Sequence, residues 1–161
     1  PEFVMRQAYK HVVGIEATSN DCTKDHAWNE ISGRYKPVTE YYIPENWRRQ
    51  SSDNKQASVG SCDPEIQKAA DGVFQGAMEN IIQVYENLLS MGVAKEQARI
   101  ILPLNQYTEV IWTCSAQALL NFIELRDEPF AQWEIREYAI AFRKILETCT
   151  PNLAAMWFSN E

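Results

Sequence analysis

The chain has 161 residues, of which 45% are hydrophobic and 23% are charged, and its formal net charge is −7. This is the size and composition of one ordinary globular domain, and the negative charge argues against the basic face of a nucleic-acid-binding protein. No apolar run approaches the length of a membrane span, and no secretory segment is visible. We therefore expect a single domain over residues 1–161, with neither nucleic acid nor a membrane as partner.

The cysteines are widely scattered, at Cys22, Cys62, Cys114 and Cys149. No pair has the spacing of a zinc motif or a redox dithiol. Because the chain also has only two histidines, we expect no metal site. Scattered cysteines are most simply free thiols in a reducing compartment, which predicts a cytoplasmic location.

The first part of the chain predicts short elements separated by polar segments. Residues 1–11 predict a short helix opened by a proline, and residues 12–28, rich in Thr, Ser, Asn and Asp, predict a loop. Residues 40–47 begin like a strand that a proline then ends. The Ser-rich segment 48–61 predicts a mobile loop.

The clearest prediction is a long helix that follows Asp63, its expected N-cap, and stops before Gly92, its expected C-terminal cap. Gly72 and Gly76 weaken this helix, each by ~1 kcal/mol relative to Ala, and would allow a neighbouring helix to come close. Apolar residues recur at alternating spacings of four and three and form one seam. They are Ile66, Ala70, Val73, Ala77, Ile81, Val84 and Leu88. The seam predicts a core helix, with a subunit interface as the alternative.

The second part of the chain is mainly helical. A helix is predicted at 94–102, an extended segment at 107–113, a helix at 115–126 and a longer helix at 130–149. Many helices with a few strands indicate an α+β fold.

Side chains, rather than a glycine loop, must hold any phosphate that this chain binds. The sequence has no GxGxxG or Walker motif and no GxSxG elbow. Arg34, Arg99 and Arg126 are candidates, because a planar guanidinium can hold a phosphate or an imide edge with two hydrogen bonds. Each arginine can equally be a solvated surface side chain. The same two interpretations apply to the amides Gln7, Asn29, Gln117 and Asn121.

Five segments in order, covering most of residues 1–148, resemble the signature segments of flavin-dependent thymidylate synthases. They read FVMRQAYKH, NEISGRY, YYIP, ARIILPLNQYTEVIWT and LLNFIELRDEPFAQWEIRE. The pattern NE-x-S-x-RY is the core of that family's signature motif. The resemblance implies an α+β fold in which helices surround a small antiparallel sheet, and a homotetramer whose active sites are shared between subunits.

The same resemblance implies reductive methylation of dUMP to dTMP. FAD is reduced by NADPH, and methylenetetrahydrofolate donates the carbon. No enzymic cysteine attacks the pyrimidine in this family, which agrees with the lack of an activating environment around any cysteine here. Two alternatives stay open: a flavin-dependent hydroxymethylase of a pyrimidine nucleotide, and a non-catalytic nucleotide-binding homologue that has lost flavin.

The resemblance also assigns roles to individual residues. Arg126 is the implied catalytic residue, because a fixed cation beside the imide favours ionisation of uracil N3, an effect often worth ~3–4 kcal/mol. The residues matched to dUMP are Gln7, Lys10, Glu30, Ile31, Ser32, Gly33, Arg34, Arg99 and Arg126. The residues matched to FAD are Lys10, His11, Val12, Asn29, Glu30, Ser115, Gln117 and Asn121.

The chain departs from the family pattern in three places. Lys10-His11-Val12 stand where most members have Arg-His-Arg; lysine keeps the charge but loses the bidentate fork, and valine offers only backbone and apolar contact. Residues 15–28 predict an insertion loop, because the usual connection to the Asn-Glu pair is short. Members also have several dozen residues before this segment, so we expect an N-terminally incomplete domain.

Overall fold

The computed structural model of the chain describes residues 1–11, 28–30, 39–55 and 57–158. The described helices are α1 (Glu2–Ala8), α2 (Pro64–Ser90), α3 (Lys95–Ala98), a 3₁₀ turn (Arg99–Ile101), α4 (Ala116–Arg126), α5 (Trp133–Cys149) and α6 (Pro151–Phe158). The described strands are β1 (Trp28–Glu30), β2 (Arg48–Gln50), β3 (Ser58–Ser61) and β4 (Val110–Trp112). The predicted insertion loop lies outside these ranges except for Trp28. None of the described helices is both long enough and apolar enough to cross a membrane.

The chain divides into two compact units. The first unit comprises Pro1–Phe3 and Glu30–Glu109, and the second comprises Val4–Asn29 and Val110–Glu161. The described strands form two small sheets, one of β1 with β4 and one of β2 with β3. This mixture of helices and small sheets confirms the α+β class. The single domain expected from the sequence stays a prediction.

In the first unit, β2 and β3 form an antiparallel pair. Both ends of the segment 48–61 therefore form β-strands, although the sequence predicts a loop there. The side-chain amide of Gln50 gives a physical reason, because its Nε2 donates to the backbone carbonyls of Lys55 and Ala57, each at 3.0 Å, and closes the connection. A polar composition alone does not reveal such a bond.

The segment 40–47 is less regular than its aromatic start predicts. Tyr41 forms one isolated antiparallel bridge with Gln106, and the first regular strand of this region starts only at Arg48. The next residue, Tyr42, exchanges hydrogen bonds with Asn105: its N–H donates to the Asn105 carbonyl at 2.7 Å, and Asn105 Nδ2 donates to the Tyr42 carbonyl at 2.8 Å. Tertiary contacts rather than a sheet therefore hold this segment.

Helix α2 begins and ends where the capping residues predict. Gly92 has a φ of 81°, and the N–H groups of Gly92 and Val93 donate to the carbonyls of Leu89 and Leu88, both at 3.0 Å. This is the Schellman arrangement, which needs a left-handed residue at the glycine position. Asp63 occupies the N-cap position, although its side chain makes no capping bond.

The apolar seam of α2 is not buried over its N-terminal half. Ile66 is 51% exposed and Val73 is 76% exposed, whereas the buried side chains of the helix are Met78 and Tyr85. The prediction that the seam lies in the core is therefore wrong for this half of the helix. Periodicity identifies an apolar face, but it does not say whether the same chain or another chain covers it.

In the second unit, α4 packs on α5 and α5 packs on α6. The core includes side chains that are at most 1% exposed, among them Phe122 and Ile123 of α4 and Ile135 and Ala139 of α5. Helices α4 and α5 confirm the predictions at 115–126 and 130–149. The sequence pattern does not predict helix α6.

Candidate functional site

Arg126 is the last residue of α4 and is half-buried. Its Nε donates a hydrogen bond to Nε2 of His11 at 3.1 Å, and burial lowers the pKa of its guanidinium. Within the described part of the chain, Arg126 forms no ion pair, and its Nη groups have no partner. Because a partly buried cation without a carboxylate is costly, Arg126 is a candidate to bind an anionic or carbonyl-bearing ligand.

The carboxylate next to Arg126 in the chain is engaged elsewhere. Asp127 Oδ1 lies 3.4 Å from Arg136 Nε, and Asp127 Oδ2 lies 3.1 Å from Arg143 Nε. Both arginines belong to α5. Asp127 therefore ties the C-terminal end of α4 to α5 and leaves Arg126 for another partner.

His11 lies just after α1 and is only 7% exposed. Its backbone N–H donates to the carbonyl of Ala8 at 3.0 Å. Its ring packs edge-on against Phe122, with 4.8 Å between the ring centroids. Burial, and then the charge of Arg126, lower the pKa of His11, so the imidazole is neutral at pH 7. Since Nε2 accepts a hydrogen bond, the ring proton is on Nδ1.

An aromatic cluster surrounds Phe122. Trp28 of β1 stacks on Trp112 of β4, with centroids 4.6 Å apart and planes within 5°. Trp112 lies 5.7 Å from Phe122, and Tyr9 packs edge-on against Trp28 at 5.1 Å. This aromatic cluster joins β1, β4, α4 and the segment after α1. It thereby fixes where His11 meets α4.

The first turns of α4 carry three of the predicted flavin contacts. Ser115 Oγ accepts from the Ala118 N–H at 3.1 Å and so caps the helix. Gln117 Nε2 donates to Asn121 Oδ1 at 2.8 Å, one turn along. Gln117 Oε1 and Asn121 Nδ2 then remain without a partner among the described residues. Together they leave one acceptor and one donor unused by the described residues.

Three more predicted site residues lie in the second unit. Gln7 Nε2 donates a hydrogen bond to Gln132 Oε1, a partner that the sequence pattern does not reveal. Lys10 is exposed in the turn before His11, and Asn29 is exposed on β1. The described residues of the second unit that were predicted for the site are therefore Gln7, Lys10, His11, Asn29, Ser115, Gln117, Asn121 and Arg126. Direct contact joins His11 to Arg126 and Gln117 to Asn121.

Two predicted nucleotide contacts belong to the first unit. Glu30 accepts a hydrogen bond from Thr108 Oγ1 at 2.6 Å, another pairing that the pattern did not reveal. Arg99 opens the 3₁₀ turn and is exposed, and its side chain makes no hydrogen bond or ion pair with the described residues. The remaining predicted residues, Val12, Ile31, Ser32, Gly33 and Arg34, lie outside the described ranges.

The described cysteines, Cys62, Cys114 and Cys149, are free thiols. Burial raises the pKa of Cys114, which is the opposite of the shift that activates a nucleophilic thiol. Nor do the described residues contain a group of three His, Cys, Asp or Glu side chains suited to a metal ion. Among the described residues, the predicted site offers guanidinium, imidazole and amide groups.

Comparison with known proteins gives a consistent picture. A family model described as thymidylate synthase complementing protein matches residues 1–152. The flavin-dependent thymidylate synthase of Thermosipho africanus is 37% identical over 152 residues, with 94% of this chain and 61% of the relative covered. That of Thermus thermophilus is 39% identical, with 94% and 51% covered. The chain thus spans between about half and three-fifths of the length of these relatives.

The fold is also similar to a solved structure. The UMP/dUMP methylase PolB from Streptomyces cacaoi, bound with 5-Br UMP, matches with a TM-score of 0.79 and 25% identity, covering 99% of this chain and 70% of that chain. A structure of PolB bound with 5-Br dUMP matches with a TM-score of 0.77.

Proposed function

We propose that this chain, which belongs to the thymidylate synthase complementing protein family, is part of an enzyme that methylates dUMP to dTMP with a bound flavin. The observation that carries the proposal is Arg126, a half-buried guanidinium with its Nε held by a neutral histidine and no carboxylate partner among the described residues. Relatives named as flavin-dependent thymidylate synthases, and a similar structure named as a UMP/dUMP methylase, support the reaction class.

Arg126 acts on the pyrimidine through its charge. A guanidinium fixed beside the imide stabilises negative charge that develops on the ring, and it needs no reorganisation when the reaction occurs. Partial burial strengthens this effect, because the surrounding dielectric is lower than that of water. Arg99 is exposed and has no side-chain partner in the described ranges, so it is available for a phosphate. The resemblance assigns Arg34 of the signature motif to the same kind of contact.

The amides on α4 fit the chemistry of a flavin ring, whose polar edge alternates acceptors with an N–H donor. Gln117 Oε1 and Asn121 Nδ2 supply the complementary acceptor and donor. We assign flavin binding to these two residues, to Asn29 and to the backbone beside His11. When bound, the flavin supplies the redox chemistry of the reductive methylation. FAD as the flavin, NADPH as its reductant and methylenetetrahydrofolate as carbon donor follow from the resemblance and are part of the proposal.

We also propose that the protein is a cytoplasmic homotetramer with shared active sites. The α2 apolar face, which we define as Ile66, Ala69, Val73 and Ala77, is exposed in the single chain. Ile100 of the 3₁₀ turn is 81% exposed as well. Because contiguous exposed apolar surface marks interaction sites, we assign the α2 apolar face to a contact with another copy.

The activity is tested with the full-length protein, FAD, NADPH, methylenetetrahydrofolate and dUMP. The expected product has the mass of dTMP. A product heavier by one oxygen atom identifies the hydroxymethylase instead. Protein that binds neither FAD nor dUMP contradicts the proposal. Protein that binds dUMP but shows no flavin absorbance after FAD is added favours the non-catalytic nucleotide-binding homologue. UMP is assayed in parallel, because the similar methylase is named for both nucleotides.

Arg126→Ala tests the assigned role. We expect kcat to fall by about 10²–10³-fold, as when a preorganised charge-stabilising group is removed, while the dissociation constant of dUMP changes less. Arg136→Ala is the matched control, since it removes an arginine of the same unit whose Nε faces Asp127. A loss of turnover fully explained by weaker dUMP binding would contradict the role.

A further inference from the structure

We propose that His11 is a positioning residue for Arg126: as a neutral imidazole it accepts a hydrogen bond from Nε and holds the guanidinium with its Nη groups available to the pyrimidine. For the identity of the ligand this inference rests on the proposed function. The contact itself rests only on the geometry of the second unit.

The contact restricts a long side chain. Among the described residues, the side chain of Arg126 makes one hydrogen bond, of 3.1 Å, and a long side chain ordered before its ligand arrives loses less entropy on binding. His11 is itself held on two sides, by the backbone bond to Ala8 and by the edge-on packing against Phe122. It is therefore a rigid acceptor that can define the orientation of the guanidinium.

The hydrogen bond requires a neutral imidazole. A protonated imidazole has two donors and no acceptor, and its positive charge would repel Arg126. Arg126 is the charged group that faces His11 from α4. Lys10, the next residue along the chain, is exposed, and the carboxylate of Asp127 is paired with arginines of α5. The described surroundings thus contain no carboxylate that would favour the protonated form of His11.

The sign of the pH dependence follows from the pKa of His11, which folding lowers from its usual value of 6.5. The folded state disfavours protonation of His11. The contribution of the contact to the free energy of unfolding is therefore fully present above pH 6.5, the usual pKa of histidine. It is lost as the pH falls through the lowered pKa of the folded protein. Arg126 remains charged throughout this range.

Three variants of the full-length protein test the inference. His11→Leu removes the acceptor and keeps apolar bulk. His11→Gln keeps an acceptor at the position of Nε2 but does not titrate, and His11→Asn keeps an amide that is too short to reach. We expect kcat per bound flavin to fall about tenfold in the Leu and Asn variants, the value of one hydrogen bond to a charged group, with a smaller change in KM for dUMP. The Gln variant should recover most of this loss.

Urea unfolding between about pH 8 and pH 5 provides a readout that is independent of activity. The wild type should lose stability relative to His11→Gln as the pH falls through the lowered pKa of His11. Parallel curves for the two proteins overturn the inference, as does an active wild type whose His11→Leu variant has the same kcat. A wild type that makes no methylated nucleotide overturns the proposed function, and the unfolding curves then still test the contact.

Discussion

Replacing Val73 by glutamate tests whether the α2 apolar face is a subunit interface. Val73 is 76% exposed in the single chain. In a monomer the new carboxylate would therefore lie in water, and the free energy of unfolding would change by no more than about 0.5 kcal/mol. In an assembly that buries this face, the same carboxylate would be placed against apolar surface.

The magnitude follows from the exposed fraction. Complete burial of a valine side chain is worth about 1.5–3 kcal/mol, and about three-quarters of this remains to be gained at Val73, or about 1–2 kcal/mol per copy. An unpaired buried carboxylate costs about 3 kcal/mol more. The sum of about 4–5 kcal/mol per copy weakens association by about a thousandfold or more.

The assay is light scattering coupled to size-exclusion chromatography over a range of protein concentrations. Gln75→Glu is the matched control, because it makes the same charge change on an exposed residue about 200° around the same helix. We expect Val73→Glu to elute as smaller species and Gln75→Glu to elute like the wild type. If both variants keep the wild-type mass at every concentration, the α2 apolar face is not an interface.

Two further predictions concern the ends of helices and are measured by urea unfolding. Gly92→Ala should lower the free energy of unfolding by about 1 kcal/mol, because Ala disfavours the left-handed φ of 81° even though the added Cβ meets nothing within 4 Å. Gly72 lies inside α2, and a Cβ added there also meets nothing within 4 Å, so Gly72→Ala should not lower the free energy of unfolding. An equal loss of stability in the two variants would contradict the explanation by backbone conformation. Ser115→Ala should lower the free energy of unfolding by about 1 kcal/mol, because it removes the oxygen that accepts from the Ala118 N–H. Ser115→Asp should restore this stability, because its carboxylate can accept the same hydrogen bond. If the Asp variant is as unstable as the Ala variant, the capping oxygen is not the cause.

Local chemistry along the sequence was enough to predict the long helices. The ends of α2 depend on the proline at its start and on Gly92 at its end, and both act within a few residues of themselves. The ends of α4 likewise depend on Ser115 and on the break that follows Arg126. The order of the motif segments also indicated the family, because five blocks in sequence rarely occur together by chance.

The arrangement of the site depends on contacts between distant parts of the chain. His11 and Arg126 are 115 positions apart, and the sequence assigned them to a cofactor and a substrate without indicating that they touch. The sequence predicts that the N-terminal half of the α2 seam lies in the core, but Ile66 and Val73 are exposed. The same apolar periodicity is found in a helix that packs in its own core and in a helix that packs against another chain. Composition also does not predict hydrogen bonds such as those from the Gln50 side chain to the carbonyls of Lys55 and Ala57. Such pairings follow from how helices and strands pack, and packing brings together residues whose spacing along the chain carries no sign of the contact.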